Sequence, residues 1–165
     1  MKQLSSVRAP YGLGYRIRLL SLTMGRSLQQ KLEPYGLTPF HWVVLCCLWE
    51  QDGMATSEVA SRLKQVGGTL TGVISRMEER NLLRREQDEC DRRIWRIWLT
   101  DAGRQLEDKL PPLVISTQSK VLAGFSEDEQ QQFSALVNRA IANLENTDPD
   151  RASPFISPDK ILASL

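Results

Sequence analysis

One stretch decides the predicted fold: TSEVASRLKQVGGTLTGVISRMEERNLLRREQDECDRRIWRIWLT, residues 56–100. Thr56 is a candidate N-cap for a short helix, and a second helix is predicted over residues 69–80. Their inward faces comprise Val59, Ala60 and Leu63 in the first helix and Leu70, Val73, Ile74 and Met77 in the second. Val66-Gly67-Gly68 is predicted to be the turn between them, and Asn81 a left-handed C-cap.

Two runs with strand composition follow, LLRREQ at residues 82–87 and IWRIWL at residues 94–99. The polar turn DECDRR separates them, so the pattern predicts an antiparallel hairpin with two arginines near its tip. Two short helices followed by a hairpin are the layout of a winged helix-turn-helix. Such a module places one helix in the major groove of DNA.

The flanking segments are predicted to be helical. Residues 13–33 carry an apolar stripe three to four apart, formed by Leu13, Ile17, Leu20, Met24, Leu28 and Leu32. FHWVVLCCLWEQ, residues 40–51, is apolar nearly all round and predicts a buried central helix. The helix that Thr100 caps is expected to be interrupted at Pro111-Pro112, and a capping box at Ser126–Glu129 begins the next one.

The terminal helices have wider apolar stripes than one small domain needs, which predicts a two-fold dimer. The predicted fold class is mainly α with a small β-hairpin wing, a winged helix-turn-helix with N- and C-terminal dimerisation helices. We expect an N-terminal dimerisation helix in residues 1–36 and the winged helix-turn-helix in 37–100. C-terminal dimerisation helices would follow in 101–146, and a loosely held tail with three prolines in 147–165.

Composition places the chain of 165 residues among soluble globular proteins, with 41% hydrophobic and 25% charged residues. The longest apolar run, residues 42–49, is far shorter than the roughly 20 residues that cross a bilayer. We expect no signal peptide and no membrane partner. Three cysteines, two of them adjacent, cannot form an ordinary disulfide framework and favour a reducing cytoplasm, where the protein would lie at the nucleoid.

The net charge of +1 conceals an uneven distribution. Residues 1–33 hold six Lys or Arg against one acid, and residues 56–100 hold nine against seven. Residues 101–165 hold six against ten. A DNA-binding surface requires local positive charge to displace counterions from phosphates, and the hairpin supplies it.

The chain resembles the MarR family of bacterial transcriptional regulators. The resemblance covers roughly residues 13–146 and is most specific at Asp91 and Arg93, followed by Leu-Thr-x-x-Gly at residues 99–103. It implies a homodimer that binds a pseudo-palindromic double-stranded DNA operator. In many members a small molecule, often phenolic, loosens DNA binding from a crevice between the dimerisation and DNA-binding parts.

Carried over by position, the resemblance makes residues 69–79 the recognition helix and residues 88–93 the wing. The residues expected to face DNA from the helix are Thr69, Thr71, Gly72, Ser75 and Arg76. Those expected to contact DNA from the hairpin are Arg85, Arg92 and Arg93, with Asp91 as wing support. Of the helix residues only Arg76 could form a bidentate guanine contact. In the family an arginine of the wing enters the minor groove, a position that Arg92 and Arg93 fit.

Several residues have plainer interpretations. Arg76 could instead pair with Glu79, and the arginines of the hairpin, including Arg84 and Arg96, could form a solvated charge run. Cys46 and Cys47 lie in the most apolar helix, where cysteine behaves as a small hydrophobe, so redox sensing is not expected of them. His41, the single histidine, is expected to be structural.

Other function classes find little support in the residues. We find no nucleophile–base pair, no phosphate-cradling glycine loop and no metal spacing, so no enzyme, metal or cofactor is expected. The alternative function is a winged-helix protein-interaction module without sequence-specific DNA binding.

Overall fold

A computed structural model describes residues 12–63 and 67–145 of the chain. The helices are α1 (Leu13–Leu32), α2 (Pro39–Glu50), α3 (Thr56–Leu63), α4 (Gly67–Glu79), α5 (Asp101–Gln105), α6 (Pro111–Val121) and α7 (Glu127–Glu145), with a 3₁₀ turn at Glu33–Tyr35. The strands are β1 (Met54–Ala55), β2 (Leu83–Gln87) and β3 (Trp95–Leu99). The predicted fold class, mainly helical with a small β wing, is confirmed. The predicted tail, residues 147–165, lies outside the described residues.

The three strands form one antiparallel sheet in the order β1-β3-β2. Leu83 pairs with Leu99 and Gln87 with Trp95, so the predicted hairpin is confirmed to within one residue at each strand start. Strand β1, which pairs Met54 with Ile97, was not predicted. Two residues are too short to show the alternation by which a strand is recognised in a sequence.

Helix α4 begins earlier than predicted. Gly67 and Gly68, expected to form a turn, lie in its first turn. A glycine in a helix costs at most about 1 kcal/mol relative to alanine. The packing of the fully buried Leu70 and Met77 on the same helix outweighs that penalty. The predicted recognition helix, residues 69–79, is therefore the main part of a helix that starts at Gly67.

The end of α4 and both ends of the hairpin meet at one junction. Asn81 has φ +54°, which confirms the predicted left-handed C-cap. The Leu82 carbonyl accepts the Thr100 N–H at 3.1 Å, and the Thr100 hydroxyl donates to the Asn81 carbonyl at 2.6 Å. Thr100 also caps α5, since its hydroxyl accepts the Gly103 N–H at 3.2 Å.

Gly103 explains the last residue of the Leu-Thr-x-x-Gly pattern. A Cβ at this buried position would overlap the Leu82 carbonyl oxygen and lie 3.1 Å from Leu99 Cδ2. The Gly103 carbonyl also accepts a hydrogen bond from the Trp49 indole at 3.1 Å. Helix α5 can therefore approach the hairpin this closely only with glycine at this position.

The chain divides into two compact units, one with residues 12–39 and 108–123 and the other with 40–107 and 124–145 among those described. In the first unit α1 packs against α6, and Lys31 donates to the Leu113 carbonyl at 3.3 Å. Leu32 is fully buried, whereas the N-terminal half of α1 remains exposed. Its exposed apolar residues are Leu13, Tyr15, Ile17, Leu19, Leu20 and Leu22.

In the second unit the buried apolar side chains come from α2, α3, α4 and the sheet. The fully buried ones include Leu45, Leu48, Val59, Leu70, Met77 and Ile97. The capping box that begins α7 is confirmed, because Glu129 Oε2 accepts the Ser126 N–H at 2.8 Å and Ser126 Oγ accepts the Glu129 N–H. The helix that Thr100 caps ends at Gln105 and not at Pro111-Pro112 as predicted, and Pro111 instead begins α6.

Gly103→Ala is expected to lower the free energy of unfolding by about 3 kcal/mol, because the added methyl group meets backbone that cannot move freely. Chemical denaturation at one protein concentration would measure the change. Gly72→Ala is the control, because its Cβ would lie 3.7 Å from Arg76 Nη2, an ordinary contact. It should raise stability by about 0.5–1 kcal/mol. Equal stability of the two variants would contradict the packing described for Gly103.

Candidate nucleic-acid interface

Helix α4 buries one side and exposes the other. Leu70, Ile74 and Met77 are almost fully buried. The opposite side carries the residues predicted to face DNA: Thr69, Thr71 and Arg76 are exposed, and Gly72 and Ser75 are half-buried. The predicted orientation of the helix is therefore the one observed, and its outer face is small and polar.

Arg76 lies along this outer face. Its Nε donates to the Gly72 carbonyl at 3.1 Å, one turn earlier in the helix. In the described part of the chain it forms no ion pair with Glu79, the alternative partner that the spacing offered. The guanidinium therefore covers the position where Gly72 has no side chain.

A cleft of about 730 Å³ lies between α3, one flank of α4 and the hairpin. Its polar lining consists of Thr56, Ser57, Thr71, Glu78, Arg85 and Arg93. Its apolar lining consists of Ile74, Ile94 and Trp95. The cleft thus brings residues of the predicted recognition helix and of the predicted wing to one surface. The hydroxyl of Thr56, one of the lining residues, donates to the Trp95 carbonyl at 3.1 Å.

Arg85, one of the predicted DNA contacts, is held by a carboxylate. Its Nε donates to Glu78 Oε2 at 2.9 Å, and its backbone N–H donates to Glu78 Oε1 at 3.3 Å. We call this contact the Glu78–Arg85 bridge; it joins α4 to β2. Glu78 was missed by the sequence reasoning, because nothing local relates a helix residue to a strand that starts beyond a turn.

The wing loop, residues 88–93, is organised by two aspartates. Asp88 Oδ1 accepts the Cys90 N–H at 2.8 Å and the Asp91 N–H at 3.0 Å. Asp91 Oδ1 accepts the Arg93 N–H at 2.9 Å, and the Asp91 carbonyl accepts the Ile94 N–H at 2.9 Å. Asp91 thus supports the backbone of the loop at Arg93.

Hydrogen bonds from Arg96 hold the base of the loop. Arg96 Nε donates to Asp88 Oδ2, and its Nη1 donates to the Gly53 carbonyl at 3.0 Å. The sequence leaves Arg96 as either a DNA contact or part of a solvated charge run, and it predicts no separate role for Asp88. Aspartate at the start of a polar turn is a known turn signal, so Asp88 was accessible from the sequence, whereas its partner Arg96 was not.

These contacts change the acid–base behaviour of Asp88. Backbone N–H donors from Asp91 and Cys90, together with the Arg96 guanidinium, lower the pKa of Asp88 to about 2. The same contact raises the pKa of Arg96. Both groups are therefore charged at every physiological pH.

The side chains of Arg92 and Arg93 are exposed. No carboxylate of the described residues holds them in the way that Asp88 holds Arg96. Within the described residues neither donates a side-chain hydrogen bond, and Arg92 contributes only its carbonyl, which accepts from Gln87 Nε2 at 3.3 Å. Arg84 differs from them, since its Nε donates to Glu86 Oε1 at 2.7 Å. Among the described residues, the arginines of the hairpin that have no carboxylate partner are thus the two in the wing loop.

The two tryptophans of β3 occupy different surroundings. Trp98 packs against Gly53, whose φ is +73° and whose Cβ position the indole occupies. Trp95 is 47% exposed and lines the cleft. Trp98 is therefore a packing residue at the base of the hairpin, while Trp95 lies on its accessible side.

Cys46, Cys47 and His41 lie in α2 and do not line the cleft. Burial raises the pKa of Cys46 to about 12 and that of Cys47 to about 11, so both remain thiols. Burial, with nearby Arg80 and Arg76, lowers the pKa of His41. In residues 12–63 and 67–145 no cluster of three or more His, Cys, Asp or Glu is placed to hold a metal ion. No helix of those residues is long and apolar enough to span a membrane.

The state of Asp88 gives a pH prediction. Because its pKa is lowered in the folded protein, its contribution to wing stability is complete above the ordinary value of 3.8 and is lost as the pH falls through about 2. NMR titration of the Asp88 carboxyl carbon should give a midpoint near 2. Arg96→Ala should raise that midpoint, since it removes one of the donors. A midpoint of 3.8 in the unaltered protein would contradict the described loop.

Comparisons with known proteins agree with this geometry. The MarR family model matches residues 37–95. YkoM of Bacillus subtilis, an HTH-type transcriptional regulator, is 34% identical over 128 residues, which span 76% of this chain and 82% of YkoM. PecS of Dickeya dadantii, another such regulator, is 29% identical over 77% of this chain and 78% of its own.

A solved structure supports the fold directly. S. aureus MepR, in complex with DNA, aligns with a TM-score of 0.74 over 84% of this chain and 100% of MepR, at 24% identity. The shared fold, the family match and the similarity to YkoM over most of both chains lead to one conclusion. The chain belongs to the MarR family and is a DNA-binding transcriptional regulator.

Proposed function

We propose that the chain acts as a homodimer on a pseudo-palindromic operator, with residues 69–79 in the major groove and the wing loop at the adjacent minor groove. The observation that carries this proposal is the pair of free guanidiniums, Arg92 and Arg93, on a loop organised by Asp88 and Asp91. A loop that is ordered before binding loses less conformational entropy when it meets DNA.

The minor groove is the favourable place for these arginines. A narrow minor groove concentrates negative potential, so an inserted guanidinium gains more there than at an exposed phosphate. Arg93 also lines the cleft beside α4, which places a cation next to the recognition helix. We therefore assign the main electrostatic contacts to Arg92 and Arg93.

The recognition helix supplies the contacts to base edges. Its proposed DNA-facing residues are Thr69, Thr71, Gly72, Ser75 and Arg76. Arg76 is the one side chain of this set that can contact guanine through two hydrogen bonds. Threonine and serine read bases less selectively, so this helix contributes moderate discrimination between sequences.

Dimerisation is proposed through the helices on either side of residues 37–100. The exposed apolar residues of α1 have counterparts on α7, where Leu136 is 53% and Leu144 75% exposed. Such apolar faces on helices at both ends of a chain favour burial against a second copy. With this interface we propose a functional division into residues 1–36, 37–100, 101–146 and 147–165.

A small-molecule effector is part of the proposal. A solved structure similar to this chain at 26% identity and a TM-score of 0.71 concerns regulation of DNA binding by 6-hydroxynicotinic acid in Bordetella bronchiseptica BpsR. We propose comparable control here by a small organic ligand. The regulator would work in the cytoplasm, at the nucleoid, by binding and not by catalysis.

Arg93→Ala is expected to weaken binding to a duplex that the unaltered protein enriches from a random-sequence library. Each dimer loses two cations at the DNA, so the slope of log affinity against log salt should fall by about 2. Fluorescence anisotropy over a range of salt concentrations measures both quantities. Arg84→Ala is the matched control, because it removes an equal charge that Glu86 already pairs. An unchanged slope for Arg93→Ala would overturn the proposed wing contact.

A dimer should have twice the chain mass of 18.7 kDa in sedimentation equilibrium. Ile17→Asp, on the exposed apolar face of α1, is expected to shift the equilibrium to monomer, because it buries a charge in the interface. DNA binding should weaken in parallel. Gln30→Glu, at an exposed position of the same helix that lies off this apolar face, is a control for the added charge. A monomeric mass for the unaltered protein at micromolar concentration would contradict the proposal.

A further inference from the structure

We propose that Glu78 is a positioning residue for operator binding, and that Arg85 contributes to affinity through Glu78 and not through a contact with phosphate. This inference rests on the proposed interface between the recognition helix, the wing and DNA. It concerns how the two DNA-contacting elements are held relative to each other.

The Glu78–Arg85 bridge uses both oxygens of the carboxylate. Oε2 accepts the Arg85 guanidinium through Nε at 2.9 Å and through Nη2, and Oε1 accepts the Arg85 backbone N–H at 3.3 Å. The side chain of Glu78 is 35% exposed and that of Arg85 is 31% exposed, so the contact is partly shielded from water. Because Glu78 binds both the guanidinium and the backbone N–H of Arg85, it restrains strand β2 as well as the Arg85 side chain.

The place of the bridge explains what it would position. Glu78 lies at the last turn of α4, and Arg85 is the central residue of β2, opposite the buried Ile97 of β3. The hairpin that begins with β2 carries the wing loop. A contact here determines how far the wing stands from the outer face of α4. Helix and wing must enter neighbouring grooves together, so this separation affects affinity.

The charges that line the cleft give a second reason to expect that Arg85 stays paired with Glu78. Glu78 lines the same cleft as Arg93, where an unpaired carboxylate would repel phosphates. Arg85 neutralises it, so that among the lining residues Arg93 alone retains an unpaired charge. If Arg85 turned to a phosphate, it would leave Glu78 unpaired at the DNA surface. The repulsion between Glu78 and DNA would then offset the attraction between Arg85 and the phosphate, so we expect the bridge to be retained in the complex.

A double-mutant cycle tests the inference with the library-enriched duplex as probe. Arg85→Met should weaken binding by about tenfold, and Glu78→Gln by about threefold. The double variant should bind no more weakly than Arg85→Met, because both substitutions remove one contact. All three should keep the salt slope of the unaltered protein, since no cation at a phosphate is lost. Circular dichroism during thermal unfolding verifies that each variant is folded.

A direct phosphate contact by Arg85 predicts different results. Arg85→Met would then lower the salt slope by about 2 per dimer, and the two substitutions would have additive effects. Either result would overturn the proposal. Glu78→Gln alone is decisive if Arg85→Met fails to fold: tighter binding would show that Glu78 only repels DNA. Arg93→Met serves as the control. Its slope of log affinity against log salt tests the proposed wing contact with DNA, which does not depend on the Glu78–Arg85 bridge.

Discussion

The close approach of Gly103 to the Leu82 carbonyl is the constraint on which the winged module depends. That carbonyl also accepts the Thr100 N–H, so the end of α4, both ends of the hairpin and the start of α5 meet within a few residues. Asn81 allows the chain to turn there because it adopts a left-handed conformation. The direction in which the hairpin leaves α4 is therefore determined by backbone contacts, which tolerate little change, and not by side chains alone.

The arginines of the hairpin divide into those that hold the structure and those that remain available. Arg84, Arg85 and Arg96 each pair with an acid, and each pair lies on or beside the hairpin. Arg92 and Arg93 are left at the tip. A net charge of +1 for the whole chain is compatible with DNA binding for this reason. Three acids at or beside the hairpin, Glu78, Glu86 and Asp88, are used in these pairs, so the arginines without a carboxylate partner are the two in the wing loop, where a groove can receive them.

Much of this architecture follows from local sequence, and the rest depends on contacts between distant residues. The hairpin, the Asn81 cap and the box at Ser126 were predictable because composition and spacing determine them within a few residues. The partners of the arginines were not. Arg96 reaches Gly53, which is 43 positions away, and such proximity exists only after the sheet has formed. The start of α4 was misplaced because a glycine pair indicates a turn locally, while buried packing favours a helix.

The distribution of free and engaged cations separates affinity from sequence discrimination. Arg76, the one base-reading cation proposed on α4, donates Nε to the Gly72 carbonyl and keeps both terminal amino groups for a base. Because this bond restrains the guanidinium along the helix, a guanine in line with it can accept two hydrogen bonds, whereas a base elsewhere cannot. The wing arginines have no comparable restraint among the described residues. They would bind many narrow minor grooves, and the helix would then select among sites that the wing already holds.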